Sequence, residues 1–358
     1  MRVLTLAGWW VEGLSSDDPS KREANKLVQG RRYWFFNEMP GSVESDVIGI
    51  PKRLEGSAFN RTAMFNLFQS VMVLARGRQY DVILAHHANS AVFVSLIRKM
   101  LHVSNPPLVM IDVGLTASAK PNEGVKRNII RFVFSGVNAV IHHSSRQKTF
   151  YLQVLGLPPA FAHFVPFGVD PREFMPSGKG IGDYVVSAGD GGRDYGTLYR
   201  ACSSFKHPVV VYSSRFRIRG GPPQPNLIHR GFVPISILKE SISASRFVVV
   251  PLLDIPCSIG QSVLLQSMAL GKAVVVANVQ GIKDYIRDGE DVLCYQPGNA
   301  VDLAIKMERL WNDRDFALYL GENARKTVLS RFTEREMALG IYHALSETVE
   351  RSKRVGGS

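Results

Sequence analysis

The sequence predicts two α/β domains in tandem, each a doubly wound parallel sheet, and three observations carry the prediction. Short, wholly apolar runs alternate with longer helical patterns along nearly the whole chain. Most runs end in glycine or polar residues, as strands do at the sheet edge where ligands bind. A proline- and glycine-rich stretch at 164–178, FVPFGVDPREFMPSG, divides the alternation into halves. With 358 residues and 45% hydrophobic content the chain is long and apolar enough for two cores. The expected domains are 1–168 and 169–358.

In the first half, residues 2–7 (RVLTLA) read as a strand stopping at Gly8, followed by a loop that carries Trp9 and Trp10. Residues 60–76 have helical spacing, with Asn60 as N-cap and Met64, Leu67, Phe68, Val71 and Leu74 sharing a face. A strand at 81–85 leads into His86 and His87, and a helix is expected at 90–101. The run 108–111 is a strand ending at Asp112, residues 124–137 form a basic, apolar helix, and 139–141 is a strand before His142 and His143. The strand ends near 85–87, 111–114 and 141–145 are expected on one edge of the sheet.

The second half repeats the alternation. Strand 184–188 ends in Gly189-Asp190-Gly191-Gly192-Arg193, which opens a helix at 195–204. Strand 209–212, the Arg- and Gly/Pro-containing loop 213–226, strand 227–230 and helix 234–245 follow. The chain is organised around residues 254–286, DIPCSIGQSVLLQSMALGKAVVVANVQGIKDYI. A buried strand at 247–253 precedes it; a glycine turn, a helix at 262–270 and a strand at 273–277 make one βαβ unit. Ser258 and Gln261 fit an S-x-x-Q capping box. The N–H groups opening such a helix favour a phosphate, and Gly260 leaves room for a ligand against the backbone. Strand 292–295 and helices at 300–312, 315–330 and 333–351 complete the chain.

In its spacing SIGQSVLLQSMALGKAVVV resembles the donor-binding segment of the GT-B glycosyltransferases, in particular the E-x7-E, family 4-like group. Ser258 and Gln266 stand where that group has its two glutamates; the resemblance implies that Gln266 holds the donor's ribose and Ser258 faces the sugar. The group has G-R-x3-K-G where this chain has Asp190 and Arg193, and P-x-G-V-D at the interdomain connection, as here at 166–170. The resemblance implies a cleft between two Rossmann-like domains, with the nucleotide sugar on the C-terminal one near Gly189, Arg193, 213–215, 231–233 (Val233 among them), Ser258, Gly260, Gln261 and Gln266. It also implies an acceptor near Gly8, Trp9 and Trp10, and a last helix, about 333–351, that returns to the first domain.

The chemistry follows from residue type. A glycine-rich turn exposes backbone donors, and an arginine beside it grips a diphosphate bidentately; otherwise Arg193 is a surface residue paired with Asp190 or Asp194. Asp112 ends a buried strand, where it serves as catalytic base or caps the next segment through its side chain; His87 is the second candidate for base or sugar contact. Trp9 and Trp10 stack on a sugar or lipid acceptor, or fold back on the domain. No D-x-D motif and no histidine pair with further ligands appears, so the expected cosubstrate is a nucleotide sugar, UDP- or GDP-linked, with no cofactor and no metal.

The net charge of +12 directs the chain to anions. No DNA- or RNA-binding signature appears, which excludes nucleic acid as a partner. The basic helix 126–134 and helix 61–76 with Arg76 and Arg78 make an anionic membrane surface a candidate partner, with a solvated basic face as the bland reading. Cys202, Cys257 and Cys294 lack metal spacing and read as reduced thiols, and no stretch reaches the length of a membrane span. The expectation is a cytoplasmic, metal-independent glycosyltransferase, peripheral on the membrane in one version, acting on a glycan or lipid-linked acceptor. The alternatives are a nucleotide-sugar 2-epimerase of the same fold and a GT-B-like binding or scaffold protein without catalysis.

Overall fold

The computed structural model describes residues 1–7, 34–49, 63–86, 88–112, 124–154, 156–177, 182–216, 222–255 and 257–356. The chain forms two compact units, Met1–Pro166 with Arg335–Ser358, and Phe167–Glu334.

The first unit is built on strands β1 (Arg2–Leu6), β2 (Glu44–Ile48), β3 (Val82–Ala85), β4 (Leu108–Asp112), β5 (Ala139–His142) and β6 (Ala162–Phe164). They pair in parallel in the order β2-β1-β3-β4-β5-β6 among the described residues. Helices α1 (Ala63–Arg76), α2 (Ala88–Met100), α3 (Gly124–Phe134) and α4 (Ser145–Thr149, running on as a π turn to Val154) connect them. From β2 to β6 every crossover steps in one direction, so right-handed connections place these helices on one face of the sheet. There α1 packs on α2 and α2 on α3. Strands buried on both faces explain the unbroken apolar runs; Leu4, Leu6, Ile83, Met110 and Val140 form the core with Phe134 and Tyr151.

The second unit holds β7 (Val185–Ala188), α5 (Tyr195–Ala201), β8 (Val209–Tyr212), β9 (Leu227–His229), α6 (Ile235–Ala244), β10 (Val248–Val250), α7 (Gln261–Ala269), β11 (Val274–Ala277), β12 (Leu293–Tyr295), α8 (Ala300–Asn312) and α9 (Arg314–Arg331). Its parallel order is β12-β11-β10-β7-β8-β9. Helix α10 (Glu334–Gly356) follows, nearly all of it in the first unit. Strand order reverses between β7 and β10 in the second unit and between β1 and β3 in the first; in open α/β sheets the crevice at such a reversal takes the ligand.

Three expectations need correction. Met64, Leu67, Phe68 and Val71 do share a face of α1, but they are exposed, and the core takes Phe65 and Val73 from the opposite side; Asn60 lies outside the described residues. The strand at 44–48 and the helix at 145–154 escape the apolar-run reading, because ESDVI opens with three polar residues and SRQKTFYLQV with five. The helix expected over 124–137 ends at Phe134, where Ser135 and Gly136 form a turn.

Candidate functional site

In the second unit two loops interlock at the switch point. After β7 the chain turns through Gly189 to Arg193; after β10 it runs through Pro251 to Gly260. Arg193 and Leu252 form an antiparallel bridge. The Asp194 N–H donates to the Pro251 carbonyl at 3.0 Å, and the Leu253 N–H to the Gly192 carbonyl at 2.9 Å. Arg193 Nε donates to the Ala188 carbonyl at 2.8 Å and Nη1 to the Gly191 carbonyl at 3.0 Å. The guanidinium therefore belongs to the loop rather than to Asp190 or Asp194, and Nη2 has no hydrogen bond among the described residues. Gly189, with φ 106°, lies beneath it; a Cβ there would stand 2.5 Å from Nη2.

Asp190 accepts from Ser213 Oγ at 2.6 Å, from Ser214 Oγ, and from the Arg215 N–H at 3.2 Å. Burial pushes its carboxyl up, but these hydrogen bonds outweigh burial and hold it below the usual aspartate value. An acid in place of the resembled group's arginine thus fastens the start of the 213–226 loop, and Arg215 stays exposed on it. Tyr195 donates to the Gly189 carbonyl at 2.6 Å and fixes the turn from the other side.

The expected capping box is corrected. Helix α7 begins at Gln261, its N-cap is Gly260 with φ 85°, and no side chain caps it. Gln261 Nε2 donates instead to the Gly281 carbonyl at 3.0 Å. The box fails because Ser258 is too far upstream of the first helical residue. The consequence is a helix N-terminus whose first-turn donors have no side-chain cap among the described residues. Nearly every side chain of α7 is buried, Leu264, Leu265 and Met268 fully, because α9 packs over it. Ser258 and Gln266 are both buried, at 7% and 4% exposure. Val233 is half-buried just before α6, beside exposed Phe232.

In the first unit Asp112 ends β4 fully buried. Its Oδ2 accepts from Tyr151 and, at 3.5 Å, from Gln147 Nε2, both supplied by the 145–154 helix. Helix 145–154 therefore closes over the carboxylate of Asp112. Paired with Asp112 in the sheet is His142. Its Nδ1 lies 2.8 Å from the Ser144 carbonyl and its buried Nε2 has no hydrogen-bond partner among the described residues. Burial pushes the His142 pKa down to about 4, against a smaller opposing effect of the Ser144 hydrogen bond. Gly8, Trp9, Trp10 and His87 lie outside the described residues, although the described ends of β1 and β3 bring the chain to them.

A lowered histidine pKa has a defined sign. Unfolded His142 takes a proton below about pH 6.5, the folded residue only near 4, so its stability contribution is complete above 6.5 and lost as the pH falls toward 4. The full loss is about 3 kcal/mol at about 1.4 kcal/mol per pKa unit. Urea midpoints should fall between pH 7 and 4.5, and an NMR titration should leave the His142 ring neutral at pH 5.5; a ring that titrates above pH 6 contradicts this.

Residues 214–313 match the family described as Glycosyl transferases group 1. Sucrose-phosphate synthase from Thermosynechococcus elongatus superposes at a TM-score of 0.70 with 15% identity, over 100% of both chains. The fold is GT-B. The HepE protein of Anabaena, solved in complex with UDP-glucose, has a TM-score of 0.68 to this GT-B chain, with 16% identity over 97% of this chain and 99% of its own. An uncharacterized glycosyltransferase of Methanocaldococcus jannaschii is 28% identical over 128 residues, 35% of this chain and 32% of the relative, so the match spans about a third of that relative's length. The matched family segment of the GT-B chain contains the 213–226 loop from Ser214, Gly231–Val233 and all of α7, but not Gly189–Arg193.

Sequence reasoning missed Gly281, Tyr151 and Gln147. Gly281 stands in a short turn after β11, and a Cβ there would lie 2.3 Å from the Cys257 carbonyl oxygen. Its signal was the V-Q-G-I spacing after the strand, which no local pattern distinguishes from an ordinary turn.

Proposed function

We propose that this chain transfers a sugar from a nucleoside diphosphate donor to an acceptor hydroxyl. The observation that carries the reading is the interlocked switch point of the second unit, where Arg193 Nη2 and the uncapped start of α7 are both provided by the two loops that meet there. A diphosphate suits such donors, since it is anionic and gains further charge as it leaves. In the transfer the acceptor oxygen bonds to the anomeric carbon, the bond from that carbon to the diphosphate oxygen breaks, and the acceptor proton passes to a base, for which the candidates are His87 and, with helix 145–154 drawn back from its carboxylate, Asp112. The group 1 match over 214–313 and the UDP-glucose complex of HepE support a nucleotide sugar, UDP- or GDP-linked, as cosubstrate.

Within this reading Gly189, Ser258, Gly260, Gln261, Gln266 and Val233 complete the donor side, and Gly8, Trp9 and Trp10 belong to the acceptor side. Ser258 and Gln266 supply neutral hydrogen-bonding groups at the two positions where the E-x7-E group has acids. The acceptor is a glycan of the cell envelope or a lipid-linked glycan, reached from the cytoplasm, and no metal takes part.

The test is a thermal-shift panel of UDP, GDP, ADP and dTDP with their common sugars, followed by an assay for radiolabelled sugar in glycan and lipid fractions. One nucleotide should stabilise the protein by about 2.7 kcal/mol at a hundredfold excess over its Kd, and its sugar should appear in a product. Binding without turnover identifies a non-catalytic module, a sugar isomer formed without acceptor identifies an epimerase, and no shift with any nucleotide removes the donor site.

A further inference from the structure

We propose that the first unit holds a ligand site of its own at the amino-terminal edge of its sheet, a cleft that takes a small, hydroxyl-rich phosphate ester. The cleft encloses about 730 Å³, within the range of roughly 300–1,000 Å³ typical of small-molecule sites. Three segments distant in sequence wall it: residues 78–81, which lead into β3, residues 102–107, which lead into β4, and residues 349–353 near the end of α10. Hydrogen bonds hold these walls. Arg98 Nε donates to the Val103 carbonyl at 3.1 Å and Nη2 donates to the Ser104 carbonyl, while Ser352 Oγ donates to Asn105 Oδ1 at 3.3 Å. Asp112 and His142 end β4 and β5 at the opposite edge of the sheet.

Charge selects the ligand. Arg78, His102 and Lys353 line the cleft against one acid among the described residues, Asp81, and Asp81 Oδ2 already accepts from the Arg2 N–H at 2.8 Å. None of the three basic side chains makes a hydrogen bond or ion pair among the described residues. Behind the 102–107 wall stands a further cation. Arg98 is 4% exposed; it meets two carbonyls and no carboxylate, and its Nη1 has no hydrogen-bond partner among the described residues. Burial pushes its pKa down to about 10, so it keeps its proton at neutral pH. A buried guanidinium without a counter-charge is costly, and an anion in the cleft offsets that cost. His102 is an independent sign. It follows α2 with φ 52°; its N–H donates to the Lys99 carbonyl at 3.2 Å and the Val103 N–H to the Arg98 carbonyl at 2.8 Å, the paired bonds of a helix end that glycine usually closes. A histidine there strains the backbone and supplies the cleft with an imidazole. An arginine fork and an ammonium suit phosphate oxygens. The remaining walls suit hydroxyls rather than a nucleobase: Ser104 and Asn105 are exposed, whereas the ring of Tyr80 is covered by the Arg2 guanidinium at 5.2 Å and its hydroxyl donates to Asp46 at 2.6 Å. The class is therefore a sugar phosphate. This inference is independent of the donor site.

The experiment is calorimetric titration of the full chain with glucose 6-phosphate and glucose 1-phosphate, with glucose and inorganic phosphate as comparisons. A sugar phosphate should bind, inorganic phosphate more weakly, and glucose not at all. Arg78→Gln and Lys353→Gln should each raise the Kd about tenfold, the loss of one charge-assisted contact. His102→Gly should raise it by a similar factor while the melting temperature holds or rises, because glycine relieves the left-handed backbone; a purely structural histidine would instead leave binding intact and lower the melting temperature. In methyl-labelled protein the Val103 and Val349 resonances should shift on titration, since both side chains line the cleft. Glucose binding as tightly as its phosphates overturns the proposal, as does the absence of heat with either sugar phosphate at millimolar concentration. So does binding that Arg193→Ala abolishes and Arg78→Gln leaves unchanged, which would assign the ligand to the switch point of the second unit.

Discussion

Arg193→Ala should raise the Kd for the stabilising nucleoside diphosphate roughly thirtyfold, equivalent to about 2 kcal/mol for a charge-assisted hydrogen bond. The side chain has two tasks. Nε and Nη1 tie the Ala188 and Gly191 carbonyls into the turn, and Nη2 is left for a ligand. Alanine removes the cation and frees two loop carbonyls, so the unliganded protein should also lose about 1–2 kcal/mol of stability. Arg193→Lys separates the tasks: it keeps the charge but not the planar fork that reaches two carbonyls at once, and should recover little of either. Calorimetric titration with the nucleotide, before and after substitution, measures the first effect. An unchanged affinity in Arg193→Ala would take Arg193 out of the donor site.

Gly281→Ala is the substitution expected to do most harm to the fold. The added methyl would meet the Cys257 carbonyl oxygen at 2.3 Å, with backbone on both sides and no side chain free to swing away. Ile282 and Tyr285 are fully buried immediately after it, and Gln261 reaches its carbonyl. Relief requires the 257–261 loop and the 280–282 turn to separate. Overpacking of this kind costs about 3 kcal/mol, and a unit of this size loses about 2–4 °C of Tm per kcal/mol, so scanning calorimetry should show a fall of roughly 6–12 °C. Gly41→Ala, where a Cβ meets nothing within 4 Å, is the control. A fall of less than about 1 °C would mean that the two segments yield freely.

The fold was legible because parallel strands buried on both faces leave unbroken apolar runs. VVSA, VVVY and VVVA at β7, β8 and β11 need no partner to be recognised. The two loops that meet at the switch point of the second unit were legible where chemistry is local, as in the glycines and Arg193 after β7 and the glycine before α7. Reading failed where a residue's partner is distant in sequence. Gln261 looks like half of a capping box but bonds twenty residues downstream. Asp190 looks like a stray acid in a phosphate turn but fastens a loop that begins 23 residues later. The stripe on α1 looks like a core face, because periodicity reports that a helix has an apolar side and says nothing about which way it points.

The chain passes from one unit to the other at Pro166–Phe167 and again at Glu334–Arg335. The second unit is therefore a continuous stretch of polypeptide, complete once Glu334 has been made, while the first is written in two separated pieces. During synthesis residues 167–334 can close their own core before the first unit possesses Arg351, whose guanidinium donates to the Asn138 carbonyl at 2.7 Å and to the Ala160 carbonyl at 2.6 Å. Domains ordinarily mature from the N-terminus onward; here the half begun first is finished last.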